Sequence, residues 1–160
     1  MSMVEIHNSV AKVYEENKET LEIFECLDEF SDTQNFCDRY GFDIEDSCNA
    51  ILIKAKKPEE FYAMFCVLGA NRLDVNHKAK EAMGAKRVSF ASREEAEAVT
   101  GQIYGGISPL GLPENIKVYM DKNVTYREKL FIGAGNRVSK FFLSPETLID
   151  LSSAKVLDLT

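Results

Sequence analysis

Thr100–Pro113 reads TGQIYGGISPLGLP and sets four glycines and two prolines around a short polar core. Glycine loses more backbone freedom on folding than any other residue, so Gly101, Gly105, Gly106 and Gly111 predict left-handed conformations or close approach to another group. Pro109 and Pro113 pre-set their own φ and push Ser108 and Leu112 toward extended backbone, which stiffens the loop. The expected product is a rigid turn with backbone N–H groups exposed near Ser108, a cradle suited to a carbonyl, a carboxylate or a phosphate. The same composition also serves a plain connection between a helix and a strand.

Other chemistries find no support. Gly133-Ala134-Gly135 follows a predicted strand but lacks the third glycine and the following helix of a dinucleotide site. Gly105–Gly111 lacks the Gly-Lys-Ser/Thr ending of a nucleoside-triphosphate loop, and no G-x-S-x-G elbow occurs. Cys26, Cys37, Cys48 and Cys66 form no C-x-x-C pair, and His7 and His77 lie far from any of them in sequence. This argues against a zinc site or a disulfide framework and for reduced thiols in the cytosol. His77, beside Lys78 on a predicted helix, reads as exposed rather than catalytic. No metal or cofactor is implied.

The elements that would hold the loop follow from periodicity and capping. Ser2-x-x-Glu5 resembles a capping box, and Ile6, Val10, Val13 and Tyr14 follow at helical spacing. Thr20–Cys26 reads as a strand, Ser31-x-x-Gln34 as the cap of a short helix ending near Gly41, and Cys48–Ala55 as a strand followed by a turn at 56–60. Phe61–Leu68 is an unbroken apolar run of eight, the mark of a central strand covered on both faces. Asp74 caps a helix carrying Val75, Ala79, Ala82 and Met83 and stopped by Gly84. After a strand at Arg87–Phe90, the box Ser92-x-x-Glu95 opens a helix that runs into the glycine-rich loop. Ile116–Met120, Leu130–Gly133 and Val138–Leu143 read as strands, Ser144-Pro145 opens a helix through Leu151, and Lys155–Leu159 closes with a strand. The expected fold is α/β (α+β mixed): a single domain, residues 1–160, with a mixed, barrel-like β-sheet surrounded by helices.

Size and charge narrow the partners. A chain of 160 residues buries about two-thirds of the surface its unfolded form exposes, enough to fold without a disulfide or metal. The opening segment lacks the basic flank and apolar core of a signal peptide, and Phe61–Ala70 falls short of the ~18 apolar residues of a membrane span. A cytoplasmic protein without a membrane partner is expected. The net charge of −7 is uneven: residues 1–50 carry 3 Lys/Arg against 13 Asp/Glu, and residues 51–140 carry 15 against 10. Nucleic acid would avoid the first part and approach the second, through Lys54, Lys56, Lys57, Lys78, Lys80, Lys86 and Arg87, and its binding would weaken with salt.

Several separate motifs carry a resemblance. Gly69-Ala70-Asn71-Arg72-Leu73-Asp74, Ala79-Lys80, Met83-Gly84-Ala85-Lys86-Arg87-Val88, Thr100-Gly101 and Gly105-Gly106-Ile107-Ser108-Pro109-Leu110-Gly111 occur in the order and spacing of the YbaK family of aminoacyl-tRNA editing domains. Gly133–Leu143 and Ser144-Pro145-Glu146-Thr147-Leu148 resemble the family's last strands and helix. The resemblance runs from about residue 7 to the C-terminus. It implies a free-standing domain that hydrolyses in trans the ester of a mischarged tRNA, of the prolyl-tRNA editing type, with the aminoacyl-tRNA acceptor end and an aminoacyl-tRNA synthetase as partners. Such editing is needed because a synthetic pocket rejects a near-isosteric side chain by only about 1–3 kcal/mol. The resemblance further implies that the Gly105–Pro109 loop positions the aminoacyl group through Gly105, Gly106, Ile107, Ser108 and Pro109, with Gly135 beside it.

Two positions depart from the family pattern. Asn49 stands where the family carries a lysine, and Lys140 stands where many relatives carry an acidic residue. Lys54 is no substitute, since an offset of five along a strand turns it to the opposite face. The expected catalytic pair is therefore Lys140, supplying the positive charge, and Asn49, donating a neutral hydrogen bond. The alternative is a paralogue that binds aminoacylated ends or a synthetase without hydrolysis. Ile51, Ile53, Phe65 and Ile107 are candidate walls of the amino-acid pocket.

Overall fold

The computed structural model describes residues 4–160. Two sheets organise the chain. Strands β1 (Glu22–Glu25), β7 (Ser139–Leu143) and β6 (Leu130–Gly133) form an antiparallel sheet in that order. A second, mixed sheet runs β4 (Arg87–Phe90), β2 (Cys48–Lys57), β3 (Phe61–Leu68), β5 (Lys117–Asp121) and β8 (Lys155–Leu157), antiparallel as far as β3 and parallel beyond it. A single parallel bridge, Ser47 to Phe131, ties the two together. The mixed α/β class is as expected, while the barrel-like sheet is two joined sheets and not a closed barrel. Among the described residues no helix is long and apolar enough to cross a membrane.

The period of two along β3 explains its continuous apolar run. Met64, Cys66 and Leu68 face a cluster shared with Leu130, Ile132 and Phe141 of the small sheet. Ala63, Phe65 and Val67 face the opposite cluster, with Ala79, Met83 and Leu159. Both faces are covered, and each large side chain buried this way contributes ~1.5–3 kcal/mol. A third cluster sits on the outer face of the small sheet, where Phe36 of α2 (Thr33–Tyr40) meets Phe24 and Phe131 at ring-centroid distances of 5.7 and 5.2 Å. This aromatic packing clamps α2, and the turn before it, over β7.

Local chemistry sets most helix ends. Gly41, Gly84 and Gly101 end α2, α3 (Lys80–Met83) and α4 (Arg93–Thr100) in left-handed conformations. Asp74 accepts from the His77 N–H, although the turn it caps, Val75–Ala79, is a π turn that only then becomes α3. α5 (Pro145–Ser152) starts at Ser144-Pro145. Three expectations shift. Ser2 lies outside the described residues, and His7 caps α1 (Asn8–Glu16) by accepting from the Ser9 N–H. α2 is capped by Asp32 instead of Ser31, because the Asp32 carboxylate reaches the Asn35 N–H. Lys56 and Lys57 extend β2, since β4 supplies a partner as far as Lys57.

The capping box Ser92/Glu95 carries a pH dependence. Glu95 accepts from the Lys54 ammonium at 2.7 Å, the Tyr62 hydroxyl at 2.9 Å and the Ser92 N–H at 3.0 Å. Lys54 above all, then Ser92 and Tyr62, lower its carboxyl from the ordinary 4.5 to about 2. A carboxyl depressed on folding stabilises the protein above its unfolded value and loses that contribution as pH falls from about 4.5 toward 2. In Glu95→Gln, thermal melts across that window should show a shallower fall of Tm with pH, by up to one proton's worth of slope, and a lower Tm at neutral pH. An unchanged slope would remove Glu95 from the acid response.

Candidate functional site

The glycine-rich loop is held from behind by the turn between β6 and β7. Ile103 N–H donates to Gly135 O at 2.9 Å, and Gly135 N–H donates to Gly106 O at 2.6 Å. Gly106 needs to be glycine for closeness alone: a Cβ there would overlap the carbonyl of Asn136. Gly105 instead combines a φ of +92° with the Arg137 guanidinium lying against it. Gly135 serves as this backbone tie, with His7 packed against it, and does not line the cavity.

The expected exposed N–H near Ser108 is corrected by the fold. Ser108 is fully buried, its N–H donates to Gln102 Oε1, and its Oγ accepts from the Leu110 N–H at 3.1 Å. Buried backbone donors demand partners, and Gln102 supplies them from inside the loop. Ser108 and Pro109 are buried and do not line the cavity. Gly105, Gly106 and Ile107 do line it. Gly106 N–H donates to Ile103 O, whereas the N–H groups of Gly105 and Ile107 make no hydrogen bond among the described residues.

The cavity these residues face has a volume of about 480 Å³. β4 pairs with β2 only from Ile53 onward, which leaves the first half of β2, including Asn49 and Ile51, as a second wall. Ile132 and Lys140 supply a third, and Phe90 stands at the rim. Of the candidate apolar wall residues, Ile51 and Ile107 line the cavity, whereas Ile53 and Phe65 are buried in the core cluster that also holds Met83.

Lys140 lies in the middle strand of the small sheet, opposite Phe24 on one side and Gly133 on the other. It is only 6% exposed. Its ammonium donates to the carbonyl of Ser31 at 3.0 Å and sits 5.1 Å from the centre of the Phe36 ring. No carboxylate pairs with it among the described residues. Burial pulls its pKa below the ordinary lysine value. The nearby Cys26 and Cys37 offer no counter-charge, since burial pushes both thiols up and keeps them protonated. An ammonium has three donors, and here one neutral carbonyl takes one of them.

Asn49 lines the same cavity; its Oδ1 accepts from Ser47 Oγ at 3.3 Å, and its Nδ2 has no partner among the described residues. Lys54 does not line it, and holds Glu95 at 2.7 Å and Glu60 at 3.4 Å. Lys78 is likewise engaged, with Asp158 at 3.1 Å and the carbonyl of Thr160. Of the basic candidates for a phosphate surface, Lys56, Lys57, Lys80, Lys86 and Arg87 form no ion pair among the described residues. Ser31 and Phe90 are among the site residues that escape sequence reasoning. Ser31 contributes a backbone carbonyl, which no side-chain pattern reveals. Phe90 shares a face with Val88 in the short strand RVSF, the one signal of the side to which it projects.

The profile of the aminoacyl-tRNA editing domain matches residues 28–151. The candidate Cys-tRNA(Pro)/Cys-tRNA(Cys) deacylase EbsC of Enterococcus faecalis is 30% identical over 92 residues, which are 58% of this chain and 56% of EbsC. The proline–tRNA ligase of Nautilia profundicola is 36% identical over 107 residues, which are 59% of this chain and 18% of the ligase. The chain thus spans about half the length of EbsC and less of the ligase. The crystal structure of a candidate trans-editing enzyme for prolyl tRNA synthetase superposes with a TM-score of 0.82 at 23% identity, covering 98% of this chain and 99% of that one. The hypothetical protein APE2540 superposes with a TM-score of 0.84 at 22% identity over 95% of this chain and 99% of its own. These two likenesses establish the fold.

Proposed function

Because the chain belongs to the aminoacyl-tRNA editing domain family, we propose that it hydrolyses in trans the ester joining a wrong amino acid to the terminal adenosine of a tRNA, of the prolyl-tRNA editing type. What supports this activity is Lys140, an ammonium buried in the wall of the cavity that the glycine-rich loop faces, with no anion paired to it among the described residues. The ester carbonyl sits against the Gly105 and Ile107 N–H groups, with Lys140 facing the oxygen that becomes negative as water adds. Donors fixed in advance at low dielectric stabilise that oxyanion without reorganising. Asn49 donates its amide N–H to the carbonyl or ribose and holds the ester in place. The attacking water is oriented by the substrate's own ribose hydroxyl or by backbone groups, so no histidine or cysteine base is needed. The bond from the carbonyl carbon to the ribose oxygen breaks, that oxygen takes a proton, and a free amino acid and an uncharged tRNA leave.

Alanyl-, cysteinyl-, seryl- and prolyl-tRNA, each incubated with the protein and followed by loss of the labelled ester, test this directly. Hydrolysis of at least one, and none of comparable speed on free amino-acid esters, is the expected result. Binding of all without hydrolysis of any would replace it with the non-catalytic binder, and equal rates on free esters with a small-molecule esterase.

A further inference from the structure

A second cavity, about 570 Å³ in volume, adjoins the first. It is lined by Arg72, Asp74, Asn76 and His77, and it shares one residue with the aminoacyl cavity, Phe90. Phe90 ends β4, the edge strand of the mixed sheet, and is 61% exposed. A large aromatic left this open at the junction of two cavities has one face available for stacking. Arg72 is exposed and forms no ion pair among the described residues, while the Asp74 carboxylate is engaged by the His77 N–H and ring at 3.2 and 3.1 Å. An unpaired guanidinium beside an open aromatic face is the pairing that single-stranded nucleic acid uses, a phosphate on the cation and a base on the ring. Asn76 and His77 add polar side chains to the same lining.

Resting on the editing function proposed above, we infer that this second cavity binds the penultimate nucleotide of the tRNA 3′ end. The aminoacylated adenosine occupies the first cavity, the phosphate joining the two nucleotides meets Arg72, and the preceding base stacks on Phe90. The strand then leaves over the Arg72 side. Phe90, common to both linings, is what favours a nucleotide of the same strand over an unrelated small molecule, since one strand can occupy both cavities across it.

NMR titration with adenosine, AMP and the dinucleotide cytidylyl-(3′→5′)-adenosine separates the contacts without requiring any hydrolysis. In the wild type, the step from AMP to the dinucleotide should raise affinity about ten- to hundred-fold, the range of one stacked base. That gain should vanish in Phe90→Ala and survive in Phe90→Tyr, which keeps the ring. The step from adenosine to AMP should raise affinity in the wild type and lose most of its gain in Arg72→Gln. Equal affinity for AMP and the dinucleotide in the wild type, or a dinucleotide gain that persists in Phe90→Ala, would overturn the assignment. A dinucleotide gain in a protein that deacylates no tRNA would sink the hydrolytic function alone, and deacylation without the gain would sink the nucleotide site alone.

Discussion

Lys140→Met should lower kcat/KM for aminoacyl-tRNA by about 10²–10³-fold, the loss that follows removal of one oxyanion donor, while leaving Tm unchanged or raised. The two readouts move apart because the lysine is buried against the Ser31 carbonyl and the Phe36 ring with no carboxylate paired to it among the described residues. Methionine reproduces its unbranched stem without the ammonium, and replacing a buried charge by an apolar side chain of similar volume is often neutral or stabilising. A purely structural role would instead lower both. Burial depresses the Lys140 pKa, so the ammonium is lost at a lower pH than in a free lysine. After subtraction of spontaneous ester hydrolysis, the rate should therefore fall on an alkaline limb below the ordinary lysine range, and Lys140→Arg should shift that limb upward. Stability responds with the opposite sign. The unfolded chain binds more protons between the folded and unfolded pKa values, so wild-type stability gains as pH rises through that window, and Lys140→Met should lack the gain. Full turnover in Lys140→Met would remove Lys140 from the mechanism.

Gly106→Ala should cost about 1–3 kcal/mol of stability and about 10²-fold in turnover. The new methyl group meets the carbonyl of Asn136, which is backbone and has no rotamer to yield. Relief requires the loop to part from the Gly133–Arg137 turn, breaking the Gly135-to-Gly106 hydrogen bond and displacing the N–H groups of Gly105 and Ile107. The same turn leads into β7 and hence to Lys140, so one displacement misaligns both sides of the cavity. Gly101→Ala is the informative contrast. It has φ +71° but nothing within 4 Å of the added methyl, so it carries only the ~1–2 kcal/mol strain of a left-handed residue. Turnover of the Gly101 variant should stay near wild type at a temperature where both are folded. Equal activity in the two variants would mean that the loop's closeness to Asn136 does not set the site.

The most legible parts of the chain were those whose cause is local. Ser92 and Glu95, Ser144-Pro145, Gly84 and Gly101 mark helix ends by satisfying or terminating a helix's own backbone, which needs nothing beyond a few neighbouring residues. β3 was readable because an unbroken apolar run has few uses other than a strand buried on both faces. The opposite orientations of Asn49 and Lys54 followed from strand geometry alone. Legibility stopped where one residue's surroundings depend on another part of the chain. Ser31 and Asp32 are both good caps, and tertiary packing gave the cap to Asp32 and turned the Ser31 carbonyl to Lys140, 109 positions away.

The amino-acid sequence by itself determined the element order, the positions of the glycines that the loop requires, and the membership of the family, because each rests on short-range pattern. Only the tertiary structure decided what those residues face. It buried Ser108 and Pro109 behind the loop, made Gly135 a tie between backbones, and brought Asn49 of β2 and Lys140 of β7 to one cavity although neither strand pairs with the other. The reason is physical: burial and register are set by contacts between strands far apart in sequence, and a buried ammonium acquires its chemistry from the partners that those contacts supply or withhold.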